Sequence, residues 1–172
     1  MKYFNGFSLE GEEKYFSDYV DQSDYTVTGF SYGAQKAFEY VYRTHTRIDR
    51  LILISPAFFQ TQKSSFIRTQ LRYFEAGKEA YVKQFLKNVA FPSTLSLERY
   101  LKVGTKEELE ALLSYVWDIN KIEEVLQRGI TIEVFIGNKD KIIDSNEALS
   151  FFTKNTTVYT IKNSGHLLEQ AQ

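Results

Sequence analysis

A chain of 172 residues with 43% hydrophobic and 25% charged side chains is sized and composed as a single soluble globular domain, 1–172, able to bury a core. Its net charge is −1, it has no cysteine and it has only two histidines, which removes disulfides, thiol nucleophiles and Cys-based zinc sites and leaves little from which to build any metal site. No apolar run approaches the ~18 residues of a membrane span and the N-terminus has no apolar stretch suited to a signal peptide, so a cytoplasmic protein without metal or cofactor is expected.

Lys2 to Asn5 predicts a short strand running into Gly6-Phe7-Ser8, and Leu9, Tyr15, Phe16, Tyr19 and Val20 among acidic residues predict a helix over 9–20. The β-branched and aromatic run Tyr25-Thr26-Val27-Thr28 then enters Gly29-Phe30-Ser31-Tyr32-Gly33, after which Ala37, Phe38, Val41 and Tyr42 recur at helical spacing. That pattern reads as strand, sharp turn, helix. The continuous run Leu51-Ile52-Leu53-Ile54 predicts a strand over 48–55 that is covered on both faces and stopped by Pro56.

From 60 to about 102 the chain is polar, basic and amphipathic, with Phe66, Leu71, Phe74, Tyr81, Phe85 and Leu86 at helical spacing and a break at Phe91-Pro92-Ser93. Thr105 with Glu108 three residues on reads as a capping box opening a helix through Val116, and a further helix is expected over 118–127, closed by Gly129. A strand over 130–136 leads to Gly137-Asn138-Lys139-Asp140, a helix over 145–152 follows, and a strand over 156–161 runs to Asn163-Ser164-Gly165-His166. Five strands alternating with helices predict an α/β protein with a mostly parallel sheet and helices on both faces. In such sheets chemistry gathers beyond the carboxyl ends of the strands, where Gly6-Phe7, Ser31, Pro56, Asp140 and His166 all fall.

Serine is a weak nucleophile at neutral pH and needs a base, which in turn needs an acid to hold its tautomer. His166 is the candidate base, because His45 lies at the far end of the helix after Ser31, where a histidine caps or meets solvent. Asp140 is the candidate acid, and Asp144 reads as a helix cap. Gly-x-Ser-x-Gly at 29–33, the strand before Gly137-Asn138-Lys139-Asp140 and Gly165-His166 stand in the order nucleophile, acid, histidine. In these features the chain resembles the α/β-hydrolase family over most of its length. The resemblance implies a trimmed α/β-hydrolase fold with a helical lid insertion over about 60–116, a catalytic Ser31, Asp140 and His166, and an oxyanion hole made by the backbone N–H groups of Phe7 and Tyr32. A short hydrolase with a basic helical lid is similar to the pimeloyl-acyl carrier protein methyl ester esterases of biotin synthesis, which implies a carboxylesterase acting on an acyl chain borne by acyl carrier protein. A thioesterase or general short-chain ester hydrolase would use the same residues, and a non-catalytic hydrolase-like scaffold is the reading from another class.

Between Gln60 and Lys106 nine basic residues stand against three acidic ones, a balance of +6 that leaves −7 on the remainder. Such asymmetry predicts steering toward an acidic partner, with Arg68, Arg72, Lys78, Lys83 and Lys87 as the docking residues. Acyl carrier protein is the partner that the resemblance implies. Nucleic acid accounts for neither the serine site nor the apolar spacing beneath these charges, and no membrane contact is expected.

Overall fold

The computed structural model describes residues 1–171. Strands β1 (Lys2–Phe4), β2 (Thr26–Phe30), β3 (Arg50–Ile54), β4 (Thr131–Gly137) and β5 (Thr157–Ile161) form one sheet whose spatial order is the chain order, with every neighbouring pair parallel. Leu51, Ile52, Leu53 and Ile54 are all buried, as a central parallel strand covered on both faces requires. Six α-helices connect the strands: α1 (Tyr32–Arg43), α2 (Ser64–Ala76), α3 (Lys78–Ala90), α4 (Lys106–Ser114), α5 (Ile119–Gln127) and α6 (Ser145–Phe152).

Helix α1 buries Ala34, Ala37, Phe38 and Val41 on the sheet, and Arg128, just past α5, donates to the carbonyls of Val41, Tyr42 and Thr44 at its C-terminal end. A line of rings from Phe38 through Trp117 to Phe152 ties α1 to α6. Helix α1 approaches the sheet at Gly29, so the next side chain, Phe30, points to the other face. There Phe16 packs on Phe30 with ring centroids 4.8 Å apart, and Tyr19 on Phe135 at 5.2 Å.

That second face carries the main departure from the expected elements. The helix predicted over 9–20 is only a five-residue 3₁₀ helix, Glu12–Phe16. Gly11 takes a left-handed conformation just before it, and Glu12 is fully buried instead of facing solvent, so the amphipathic period is broken at its start. The stretch 60–102 divides at Gly77 into α2 and α3, and from Phe91 to Gly104 the chain runs as a strap that includes a short 3₁₀ helix, Glu98–Tyr100. Leu101 of this strap bridges Leu9, and its Lys102 N–H donates to the Ser8 carbonyl. Thr105 and Glu108 form the expected capping box, but α4 stops at Ser114 and leaves Val116 exposed. Among the described residues no helix is long and apolar enough to cross a membrane.

Candidate active site

Ser31 sits at the junction of β2 and α1 with φ 55° and ψ −116°, a conformation that L-residues avoid and that persists only where surrounding structure enforces it. Two close approaches enforce it. A Cβ on Gly29 would lie 2.2 Å from the Gly33 carbonyl oxygen, and one on Gly33 would lie 2.0 Å from that of Phe4, so both positions require glycine. The Ser31 N–H donates to the Ile54 carbonyl at 2.9 Å and its own carbonyl accepts from Ala57 N–H at 3.1 Å, which carries β2–β3 contact past the strand end and fixes the turn.

His166 follows β5 by way of the turn Asn163–Gly165. That turn is tied to the end of β4 by Lys139 N–H on the Ser164 carbonyl at 2.9 Å and Asn163 N–H on Asn138 Oδ1 at 2.7 Å. The His166 carbonyl accepts from Ser55 Oγ at 2.7 Å. Held so, the ring places Nε2 2.8 Å from Ser31 Oγ and Nδ1 2.5 Å from Asp140 Oδ2. The other Asp140 oxygen accepts N–H groups of Ile142 at 2.6 Å and Ile143 at 3.2 Å, so the carboxylate is aimed from both ends. The side chains of His166 and Asp140 are both wholly buried and Ser31 is 2% exposed, a dry setting that strengthens the hydrogen bonds along the line.

Sequence and structure thus bring Ser31, His166 and Asp140 together, while His45 lies exposed beyond the end of α1 and Asp144 caps α6 by accepting Asn146 and Glu147 N–H. Among the described residues, neither Phe7 N–H nor Tyr32 N–H donates to a protein acceptor. Both residues line one cleft of about 290 Å³ together with Gly104, which packs against the Phe7 ring, and Glu108. Tyr32 N–H belongs to the first turn of α1, where unpaired donors and the helix dipole favour negative charge. A second cleft of about 260 Å³ runs beneath α2 and α3 and is lined by Phe59, Phe66, Phe85, Leu109 and Ile142, two residues past Asp140.

Arg68, Arg72, Lys78, Lys83 and Lys87 are all exposed and, among the described residues, paired with no carboxylate, whereas Lys102 and Lys106 bind Glu10 at 3.1 Å and Glu75 at 2.5 Å. Three supporting residues carried no sequence signal. Ser55 holds the His166 backbone, and buried Gln35 donates to the carbonyls of Ala57 and Leu112 at 3.0 Å each, tying α1 to α4. Glu12 accepts Gly6 N–H at 2.7 Å beside Phe7.

No protein-family model and no curated protein matches this sequence. Solved structures do. MenH from S. aureus superposes with a TM-score of 0.61 at 18% identity over 95% of this chain and 85% of its own, and BioG from Haemophilus influenzae with 0.61 at 15% over 96% and 87%. The naproxen esterase (carboxylesterase NP) from Bacillus subtilis gives 0.55 at 17% over 83% of this chain, which spans about half the length of that esterase, 53%. The strand order, the strained Ser31 turn and these superpositions agree that the chain has the α/β-hydrolase fold in a shortened form.

Proposed function

We propose that the protein is a serine carboxylic ester hydrolase. The observation that carries this reading is the unbroken line from Ser31 Oγ through His166 to Asp140 at a strained strand-to-helix turn. Ser31 Oγ attacks the ester carbonyl as His166 Nε2 takes its proton, and Asp140 keeps Nδ1 protonated and stabilises the imidazolium. The oxyanion forms against Phe7 and Tyr32 N–H, donors that cost no reorganisation because nothing among the described residues competes for them. His166 then gives the proton to the departing alcohol, and water, activated by the same imidazole, releases the acid from the acyl-enzyme.

The substrate we favour is a small, methyl-type ester on an acyl chain borne by acyl carrier protein, with the pimeloyl chain of biotin synthesis as the specific case. Its support is the family resemblance, the aromatic cleft beside the Asp140 turn, and five exposed, unpaired cations on the helical segment 60–116, which acts as a lid. Mass spectrometry of methyl-pimeloyl carrier protein, beside nitrophenyl esters and acyl thioesters, tests the reading. The ester methyl should be lost with the native protein, and Ser31→Ala should be slower by about 10³-fold or more. Preference for the thioesters would move the assignment to a thioesterase. Activity surviving in Ser31→Ala, or a serine-directed phosphonate labelling another residue, would overturn it altogether.

A further inference from the structure

Glu12 is a carboxyl group with 0% exposure and, among the described residues, no cation partner, buried under the turn that follows β1. Its Oε1 accepts Gly6 N–H at 2.7 Å and the Tyr3 hydroxyl at 3.2 Å, and its Oε2 has no partner among the described residues. Burial pushes this carboxyl up from its ordinary range against the pull of the Gly6 N–H bond, and burial followed by Glu12 itself raises the Tyr3 phenol. An unpaired buried carboxyl is costly, and an apolar side chain of similar size would pack there without that cost.

The contacts around the turn indicate what Glu12 does. Glu12 fixes the N–H side of Gly6, and the Gly6 carbonyl accepts from Leu9 N–H at 3.3 Å. That carbonyl and Phe7 N–H belong to one peptide unit, in which trans geometry points them in opposite directions, so pinning Gly6 on both sides sets where the Phe7 N–H aims. Nothing else in the described residues receives that N–H. Asn5 Oδ1 accepts Gly11 N–H at 3.1 Å and ties the 3₁₀ helix that carries Glu12 to the same turn, and a Cβ on Gly6 would strike the Phe30 ring at 2.8 Å.

We propose that Glu12 is a positioning residue for ester hydrolysis: by clamping Gly6 N–H it holds Phe7 N–H on the oxyanion. The inference rests on the serine hydrolase reading above. Because the contact acts on the position of a transition-state donor, its loss should appear in kcat and not in KM.

The test is steady-state kinetics and boronate affinity for Glu12→Ala, Glu12→Gln and Ser31→Ala on a nitrophenyl ester. Glu12→Ala should lower kcat by about 10- to 100-fold, less than the 10²–10³ expected for full loss of a donor, with KM within about twofold. Affinity for the boronate, which mimics the tetrahedral state, should fall by the same factor. Glu12→Gln, which keeps the acceptor oxygen, should restore most of kcat. If Glu12→Ala does not fold, Glu12→Leu fills the site without an acceptor and should show the same kcat loss. Full kcat in a folded Glu12→Ala or Glu12→Leu, or an equal loss in Glu12→Gln, would overturn the inference while Ser31 dependence stood. Activity persisting in Ser31→Ala would instead remove the hydrolase reading on which it rests.

Discussion

Asp140 and Asp144 lie four residues apart and do unlike work. Asp140 shares its oxygens between His166 Nδ1 and two turn N–H groups, whereas Asp144 only accepts the first N–H groups of α6. Asparagine at 140 would put an amide where the imidazole needs an acceptor, and Asp140→Asn should lower turnover by about 10³- to 10⁴-fold. Asparagine caps a helix as well as aspartate does, so Asp144→Asn should stay within a few tenths of a kcal/mol in stability, near full activity. Ester kinetics and thermal melts of the two variants check this, and an equal or larger loss at 144 would show that the acid has been misplaced. At this scale the triad candidates were legible because each lies in the loop or turn just beyond the carboxyl end of a strand and belongs to a residue type with few alternatives. Ser55 and Glu12 were not, since each acts on a backbone group: the His166 carbonyl, 111 residues away in the chain, and Gly6 N–H, in a segment whose spacing imitates a helix.

Between elements, Glu39 is the clearest electrostatic joint. From α1 its carboxylate accepts the Tyr115 hydroxyl at 2.9 Å, Lys121 Nζ of α5 at 2.9 Å and Arg43 one turn on at 2.9 Å. Partial burial works to raise its pKa, but the hydrogen bonds from Lys121, Tyr115 and Arg43 and the Lys121 charge outweigh it and hold the group below the usual carboxylate range. A folded pKa below the unfolded one gives stability that is present above the unfolded value, about 4.3 for glutamate, and is lost as pH falls through the folded value. Glu39→Gln should therefore melt lower than the native protein at neutral pH, by under about 1 kcal/mol because both partners meet solvent. The two melting curves should draw together as pH falls below the unfolded value and through the lower folded one. A gap unchanged at low pH would assign the effect to packing. Helix starts were legible where a side chain makes the cap, as at Thr105 and Glu108. The division at Gly77 was not, because α2 and α3 continue one amphipathic composition across it.

Across the whole molecule, charge is divided between a basic helical segment and an acidic remainder. Arg68 and Arg72 lie one turn apart on α2, exposed and unpaired among the described residues. Arg68→Glu with Arg72→Glu should raise KM for a carrier-borne ester and spare nitrophenyl acetate, and rising salt should reproduce the effect, since exposed charges are screened beyond ~8 Å at physiological ionic strength. Unchanged kinetics on the carrier-borne ester, with no salt dependence, would remove the docking role and leave the hydrolase reading intact. The alternation of strands and helices was legible from hydrophobic period, but the strand order was not, because periodicity marks which segments are strands without saying which ones pair. That order has a consequence for biogenesis. Since each strand pairs with its predecessor in the chain, the sheet can be laid down in the direction of synthesis without waiting for distant partners. Ser31 takes its strained place once β3 has emerged, yet the imidazole that bonds its hydroxyl, His166, lies 135 residues further on, after the last strand. On the proposed hydrolase reading, a nascent chain would carry Ser31 without its imidazole partner until almost all of these residues had been made, and activity would arrive in one step, with His166.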